Sequence, residues 1–314
     1  MSTVDHQEFT ADDEAQLTAL LRRLAPQDWP LGLEEGRRYY DSWGSPVADD
    51  VVQRRVSLGT IPAVELTPPD GDADRIGLWL HGGAYVQGSH ASHGSMVAEI
   101  ARACGHPFVH PLYRLAPEHP FPMAVEDALA AYRSLLVRGW SGHEIVVGGD
   151  SAGGGLAVAM MLTARDRGLP LPSCATLLSP WVDLAGTGRT LVSNAGADPL
   201  VDAAACASFA QTYLAGAHPR HPLASPLYAD LTGLPPTLVQ VGSREVLLSD
   251  SRRLHAALVA AGVDVTMETW RGQIHVWHLH HAHLRQAREA IADLGRFTRG
   301  VTSAAAPSRL AGSR

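Results

Sequence analysis

An α/β fold is what this chain predicts: a mostly parallel, doubly wound sheet with a helical cap, and three observations carry it. From Ile76 onward, apolar runs of strand length alternate with longer helical patterns. One run, Ile145-Val146-Val147, enters Gly149-Asp150-Ser151-Ala152-Gly153 and then the small-residue stretch from Gly154 to Met160, which reads as strand, tight turn and helix. Another, Leu78-Trp79-Leu80, enters His81-Gly82-Gly83-Ala84-Tyr85. Open sheets of this kind bind ligands beyond the C-terminal ends of their strands, so both glycine-bearing turns fall where a site belongs.

Taken in order, Thr10-Ala11-Asp12-Asp13 is an N-cap sequence that opens a helix with Ala15, Leu17, Leu20, Leu21 and Leu24 on one side, and Pro26 ends it. A second helix includes Leu33, Tyr39, Tyr40 and Trp43. Neither belongs to a βαβ unit, so residues 1–48 are expected to form an N-terminal helical cap segment. The catalytic domain is then expected over 49–300. Its strand patterns lie near 51–66, 76–80, 107–112, 144–148, 175–180, 237–241 and 263–269, with helices near 91–104, 123–137 and 152–167. Residues 185–227 interrupt the alternation and contain a helical stretch from Val201 to Ala210, which makes them a cap insertion rather than a loop. Phe209 and Tyr213 there, with Tyr85, are the expected pocket-lining residues. The Ala-, Ser- and Arg-bearing tail over 301–314 is expected to be disordered.

Composition narrows the function classes. With 314 residues, 46% of them hydrophobic, the chain is long enough for one large α/β core. A net charge of −7 without a basic run argues against nucleic acid or an anionic membrane as partner. The segment Met1 to Glu8 has acids and no apolar stretch, unlike a secretion signal, and the apolar run Leu156 to Ala164 is too short to span a bilayer. Cys104, Cys174 and Cys206 are widely spaced, as expected of reduced thiols in a cytoplasmic protein.

The two turns carry acyl-transfer chemistry when read together. Ser151, between glycines that permit a sharp strand-to-helix turn, is the candidate nucleophile; read alone, the same pentapeptide is an ordinary turn before a helix. Adjacent Gly82 and Gly83 leave backbone N–H groups unshielded. With the N–H of Ala152 they are the candidate oxyanion donors, each such donor being worth about 3 kcal/mol in a transition state. For the base, a loop after the last strand is the place to look, and among 16 histidines His275 follows the alternating strand Val263 to Trp270. His278, His280, His281 and His283 have neither a His-Glu-x-x-His pattern nor a cysteine pair beside them, and read as polar positions of a terminal helix, so no metal is expected. Three acids are candidates to orient the imidazole. Glu245 lies just past the strand Thr237 to Val241; Asp250 sits at the start of a helix, where an N-cap or first-turn acid is ordinary; Asp183 follows the strand Ala175 to Ser179.

His81-Gly82-Gly83-Ala84-Tyr85, Tyr113-Arg114-Leu115-Ala116-Pro117-Glu118-His119-Pro120-Phe121-Pro122, Gly149-Asp150-Ser151-Ala152-Gly153-Gly154 and Ile274-His275-Val276-Trp277, in this order, resemble the bacterial hormone-sensitive-lipase family of α/β-hydrolase esterases. The resemblance spans about residues 40–298. It implies a carboxylesterase fold with an N-terminal cap, short-chain acyl substrates, and the triad Ser151, Glu245 and His275. Two positions depart from the family's pattern: Glu245 stands where Asp is frequent, and Leu112 where an Asp often precedes the Tyr-Arg pair. The function expected is serine carboxylic-ester hydrolysis of short- to medium-chain acyl esters through an acyl-enzyme, with no metal or organic cofactor. The expected partner is a small-molecule ester, with a homodimer as an open alternative. The alternatives are lactone hydrolysis, amide hydrolysis or acyl transfer with the same residues, or a non-catalytic ligand receptor on a hydrolase scaffold.

Overall fold

The computed structural model describes residues 1–24 and 32–305. Its strands are β1 (Ser2–His6), β2 (Val52–Leu58), β3 (Ile61–Thr67), β4 (Ile76–Leu80), β5 (Phe108–Pro111), β6 (Ile145–Asp150), β7 (Cys174–Leu178), β8 (Thr237–Gly242) and β9 (Val265–Trp270). They form one nine-stranded sheet in the order β1-β9-β8-β7-β6-β4-β5-β3-β2. Every pairing is parallel except those that β3 makes with β2 and β5. β4, β6, β7 and β8 are buried along their whole lengths, as continuous apolar strands are when helices cover both faces.

The helices are α1 (Ala11–Leu24), α2 (Leu33–Asp41), α3 (His90–Cys104), α4 (Met123–Val137), α5 (Ala152–Asp166), α6 (Thr190–Ser193), α7 (Ala203–Leu214), α8 (Leu248–Ala260) and α9 (Arg285–Ala305). The two-residue period of a strand divides the core between them. Leu78, Leu80 and Val147 pack with Leu129, Leu156 and Leu254 from α4, α5 and α8. Trp79 and Val146 point the other way, into a cluster with Val97 of α3 and Ile291 and Leu294 of α9.

Three sequence expectations change. Residues 2–6 are not helical: β1 lies along β9, with Ser2 opposite Thr266 and His6 opposite Trp270. Its polar sequence gives no apolar signal. What holds it is the ladder, the Met1 amine 2.9 Å from Asp264, and the His6 ring stacked 3.9 Å from Trp270. The rest of the 1–48 segment is divided as well. Leu17, Leu20 and Leu24 of α1 pack on Trp277, Leu284 and Ala287, behind the sheet's last strand, whereas Tyr40 and Trp43 wall the cavity described below. Finally, α9 continues through residues 301–305, where disorder is the sequence expectation. Pro26 and residues 306–314 lie outside the described residues.

Candidate active site

Ser151 stands between β6 and α5 with φ 52° and ψ −121°, a positive φ that a serine adopts only under constraint. The constraint is visible in the neighbours. Ser151 N donates to Leu178 O at 2.8 Å, and Trp181 N donates to Ser151 O at 2.9 Å. Gly153 lets the end of β4 press against the turn, since a Cβ there would stand 2.0 Å from Leu80 O. The hydroxyl therefore emerges at the C-terminal edge of the sheet.

His275 is in the loop after β9, with Nε2 2.8 Å from Ser151 Oγ and Nδ1 3.1 Å from Glu245 Oε2. The carboxylate accepts Nδ1–H, so Nε2 is left with a lone pair toward the hydroxyl. Glu245 is fully buried. Its other oxygen accepts from Gly242 N at 2.6 Å and from Ser179 Oγ at 2.7 Å, while Val276 N donates to that same Ser179 hydroxyl at 3.1 Å. One serine at the end of β7 thus ties the acid's loop to the histidine's loop. Burial raises the Glu245 carboxyl above its ordinary value, opposed by its bond to His275. Burial works against the His275 imidazolium too, but the Glu245 bond and the charges of Glu245, Asp198 and Asp150 outweigh it and hold His275 above its ordinary value.

The other two acids are committed elsewhere. Asp250, in the first turn of α8, accepts from the backbone N–H groups of Val182 (3.2 Å) and Asp183 (3.0 Å); burial and the nearby Asp183 charge push its carboxyl up to about 7. Asp183 accepts from Thr187 Oγ1 at 2.6 Å, Tyr228 OH at 2.9 Å and Arg253 at 2.7 Å. Both acids bind the chain where it leaves β7 for residues 185–227.

At the glycine turn, Asp150 changes one assignment. Its buried carboxylate accepts from Gly82 N at 3.1 Å and Trp79 Nε1 at 3.0 Å, and lies 3.1 Å from His93 Nε2. Gly82 N–H is therefore spent on Asp150 rather than free for an oxyanion. Gly83 and Ala84 are the residues of this turn that face Ser151 across the cavity. Gly83 has φ +103°, and a Cβ there would meet Gln87 O at 2.2 Å. Tyr113 OH donates to His81 O at 2.7 Å and so anchors the turn from β5's side.

The cavity above Ser151 and His275 measures ≈450 Å³ and is walled by Tyr40, Trp43, Trp181, Leu247, Val276 and Leu279, with Pro199, Val201, Cys206 and Phe209 from the 185–227 segment. Phe209 lines it as expected; Tyr85 and Tyr213 do not. Their rings stack on one another at 3.8 Å and 6°, almost wholly buried in the α4–α5 layer. Asp198 lines the cavity without any local sequence signal to mark it.

The clustered histidines lie on a short 3₁₀ helix, Trp277–His280, and the turn after it, ahead of α9 rather than within a terminal helix. His278 lies 3.0 Å from Gln240 Oε1, and His281 lies 3.0 Å from Ser95 Oγ. Among the described residues the one trio with metal-ligand spacing is His6, Glu268 and Asp293, on β1, β9 and α9, outside the Ser151 cavity.

Residues 77–279 match a family described as having the alpha/beta hydrolase fold. An acetyl-hydrolase of Streptomyces hygroscopicus is 47% identical over 272 residues, 87% of this chain and 89% of that protein. A crystal structure of an esterase from the bacterial hormone-sensitive lipase family superposes with a TM-score of 0.91 at 42% identity, over 94% of this chain and all of that one. This chain belongs to the bacterial hormone-sensitive-lipase family of α/β hydrolases. A second structure, that of EstE5 from a crystal soaked with p-nitrophenyl butyrate, superposes with a TM-score of 0.90 at 41% identity over 94% of this chain and all of that one. Carboxylic-ester hydrolysis is the activity of the family, and of this enzyme. Among the described residues no helix is long and apolar enough to cross a membrane.

Proposed function

We propose that Ser151 is the nucleophile of this esterase, His275 its general base and acid, and Glu245 the residue that orients the imidazole. The hydrogen-bonded line from Ser151 Oγ through His275 to Glu245, 2.8 Å and 3.1 Å, is the observation that supports it. Ser151 Oγ forms a bond to the ester carbonyl carbon as its proton passes to His275 Nε2. The carbonyl oxygen takes the negative charge and is met by the N–H groups of Gly83, Ala84 and Ala152, with Ala84 in the role that the sequence suggests for Gly82. The C–O bond to the alcohol then breaks, and His275 returns the proton to the leaving oxygen. A water repeats the sequence on the acyl-enzyme and releases the acid.

The substrate class follows from the cavity. A ≈450 Å³ space closed by Trp43, Trp181 and Phe209 suits a short or medium acyl ester better than a long lipid chain. The butyrate ester used with EstE5 is of the same class. Cys104, Cys174 and Cys206, all buried and unpaired, support a cytoplasmic location. A series of p-nitrophenyl esters of increasing acyl length tests the reading: kcat/KM is expected to peak between about two and eight carbons. A maximum beyond twelve carbons, with activation at a lipid interface, would contradict it.

A further inference from the structure

We infer that the cavity selects esters carrying a positive charge, a quaternary or protonated amine, over uncharged esters of the same shape. The inference rests on Ser151 acting as the nucleophile in this cavity. Among the described lining residues the carboxylates are Asp198 and Asp202; neither Lys nor Arg lines it. Asp202 caps α7 at the rim, its Oδ1 accepting from Ala205 N at 2.7 Å. Asp198 is different, being only 5% exposed. Its carboxylate is held by backbone groups, Leu200 N at 3.1 Å on one oxygen and Val246 N at 3.4 Å on the other. No Lys or Arg forms an ion pair with it among the described residues; burial raises its carboxyl above the ordinary value, and the charge of His275 works the other way. The longer bond leaves that oxygen with acceptor capacity to spare.

The surroundings reinforce the sign. Two further buried carboxylates, Asp150 and Glu245, lie directly beneath the reacting groups. His280, in the wall, is kept neutral by burial, which drives it to about 3, so it supplies no balancing cation. His275, held above its ordinary value, is the one group of the site that gains positive charge near neutral pH. Tyr40, Trp43, Trp181 and Phe209 add aromatic walls on which a weakly hydrated cation is favoured. The same field repels the carboxylate produced by hydrolysis, which favours its departure.

The test compares matched esters on the intact enzyme. On the alcohol side, acetylcholine is set against dimethylbutyl acetate, its uncharged isostere. On the acyl side, ethyl trimethylammoniobutyrate is set against ethyl dimethylhexanoate. The expected result is a cation-to-neutral ratio of kcat/KM of about ten or more on one of the two arms, which also tells where the charge sits. Asp198→Asn keeps the side-chain shape and is expected to bring that ratio toward one, and raised ionic strength to lower it in the unaltered enzyme. A ratio of one or below on both arms, or a ratio unmoved both by Asp198→Asn and by salt, would overturn the inference. Failure of all four esters, charged and neutral alike, to be hydrolysed would instead count against the reading of Ser151.

Discussion

At the scale of single residues, the question is which carboxylate serves His275. Glu245 Oε2 meets its Nδ1, whereas Asp183 and Asp250 hold the chain that follows β7 through Thr187, Arg253 and backbone N–H groups. Glu245→Gln keeps the side-chain size but loses the charge that stabilises the imidazolium, so kcat should fall roughly 10⁴-fold. Asp250→Asn and Asp183→Asn should keep kcat within about an order of magnitude and move the melting temperature instead. Steady-state kinetics beside thermal melts separate the two outcomes; a kcat collapse in either Asp variant with Glu245→Gln still active would assign the acid to that residue. The pH profile follows from the same contacts. In the proposed mechanism neutral His275 accepts the serine proton, and the Glu245 bond with the neighbouring carboxylate charges holds the imidazole above its ordinary value. The acid limb of kcat/KM, which reports the free enzyme, should therefore lie above the ordinary imidazole value, activity falling as pH drops through it. In Glu245→Gln, where the largest supporting charge is gone, the residual activity should have that limb at lower pH.

At the scale of elements, β1 is the part that depends least on its own sequence. Ser2-Thr3-Val4-Asp5-His6 contains a single aliphatic residue, and its place comes from partners more than 250 residues away. The strands from β4 onward were legible for the opposite reason. Runs such as Ile76-Gly77-Leu78-Trp79-Leu80 are apolar throughout because both of their faces are covered, and the helices between them repeat with a helical period. The site was legible where a local motif fixes the backbone, as at Ser151, and less so where a contact decides it. That Gly82 N–H is spent on Asp150, and that Tyr85 and Tyr213 stack within the core, are consequences of packing between segments distant in the chain. β1 also covers the outer edge of β9, which would otherwise present unpaired backbone groups. Deleting residues 1–6 should lower the melting temperature and produce concentration-dependent association, read by size-exclusion chromatography, while Ser151 chemistry persists. A shortened chain with unchanged melting and elution would show that β1 adds nothing to the sheet.

At the scale of the whole molecule, one sheet brings the reacting groups together from far apart in the chain. The ends of β4, β6, β7, β8 and β9 lie side by side, with Leu80 paired to Gly149 and Gly242 to Trp270. The glycine turn, Ser151, Glu245 and His275 leave from those ends, and the two helical segments outside the βαβ pattern supply the aromatic and apolar walls above them. The claim on which the rest depends is that Ser151 forms the covalent acyl intermediate. Its most direct test is inactivation by a diethyl aryl phosphate followed by peptide mass spectrometry, run in parallel on Ser151→Ala. The expected result is one phosphorylated peptide, labelled at Ser151 in step with the loss of esterase activity, and a folded Ser151→Ala protein that takes up no label and turns over ester orders of magnitude more slowly. Label on another serine, or a Ser151→Ala enzyme with near-native turnover, would contradict it.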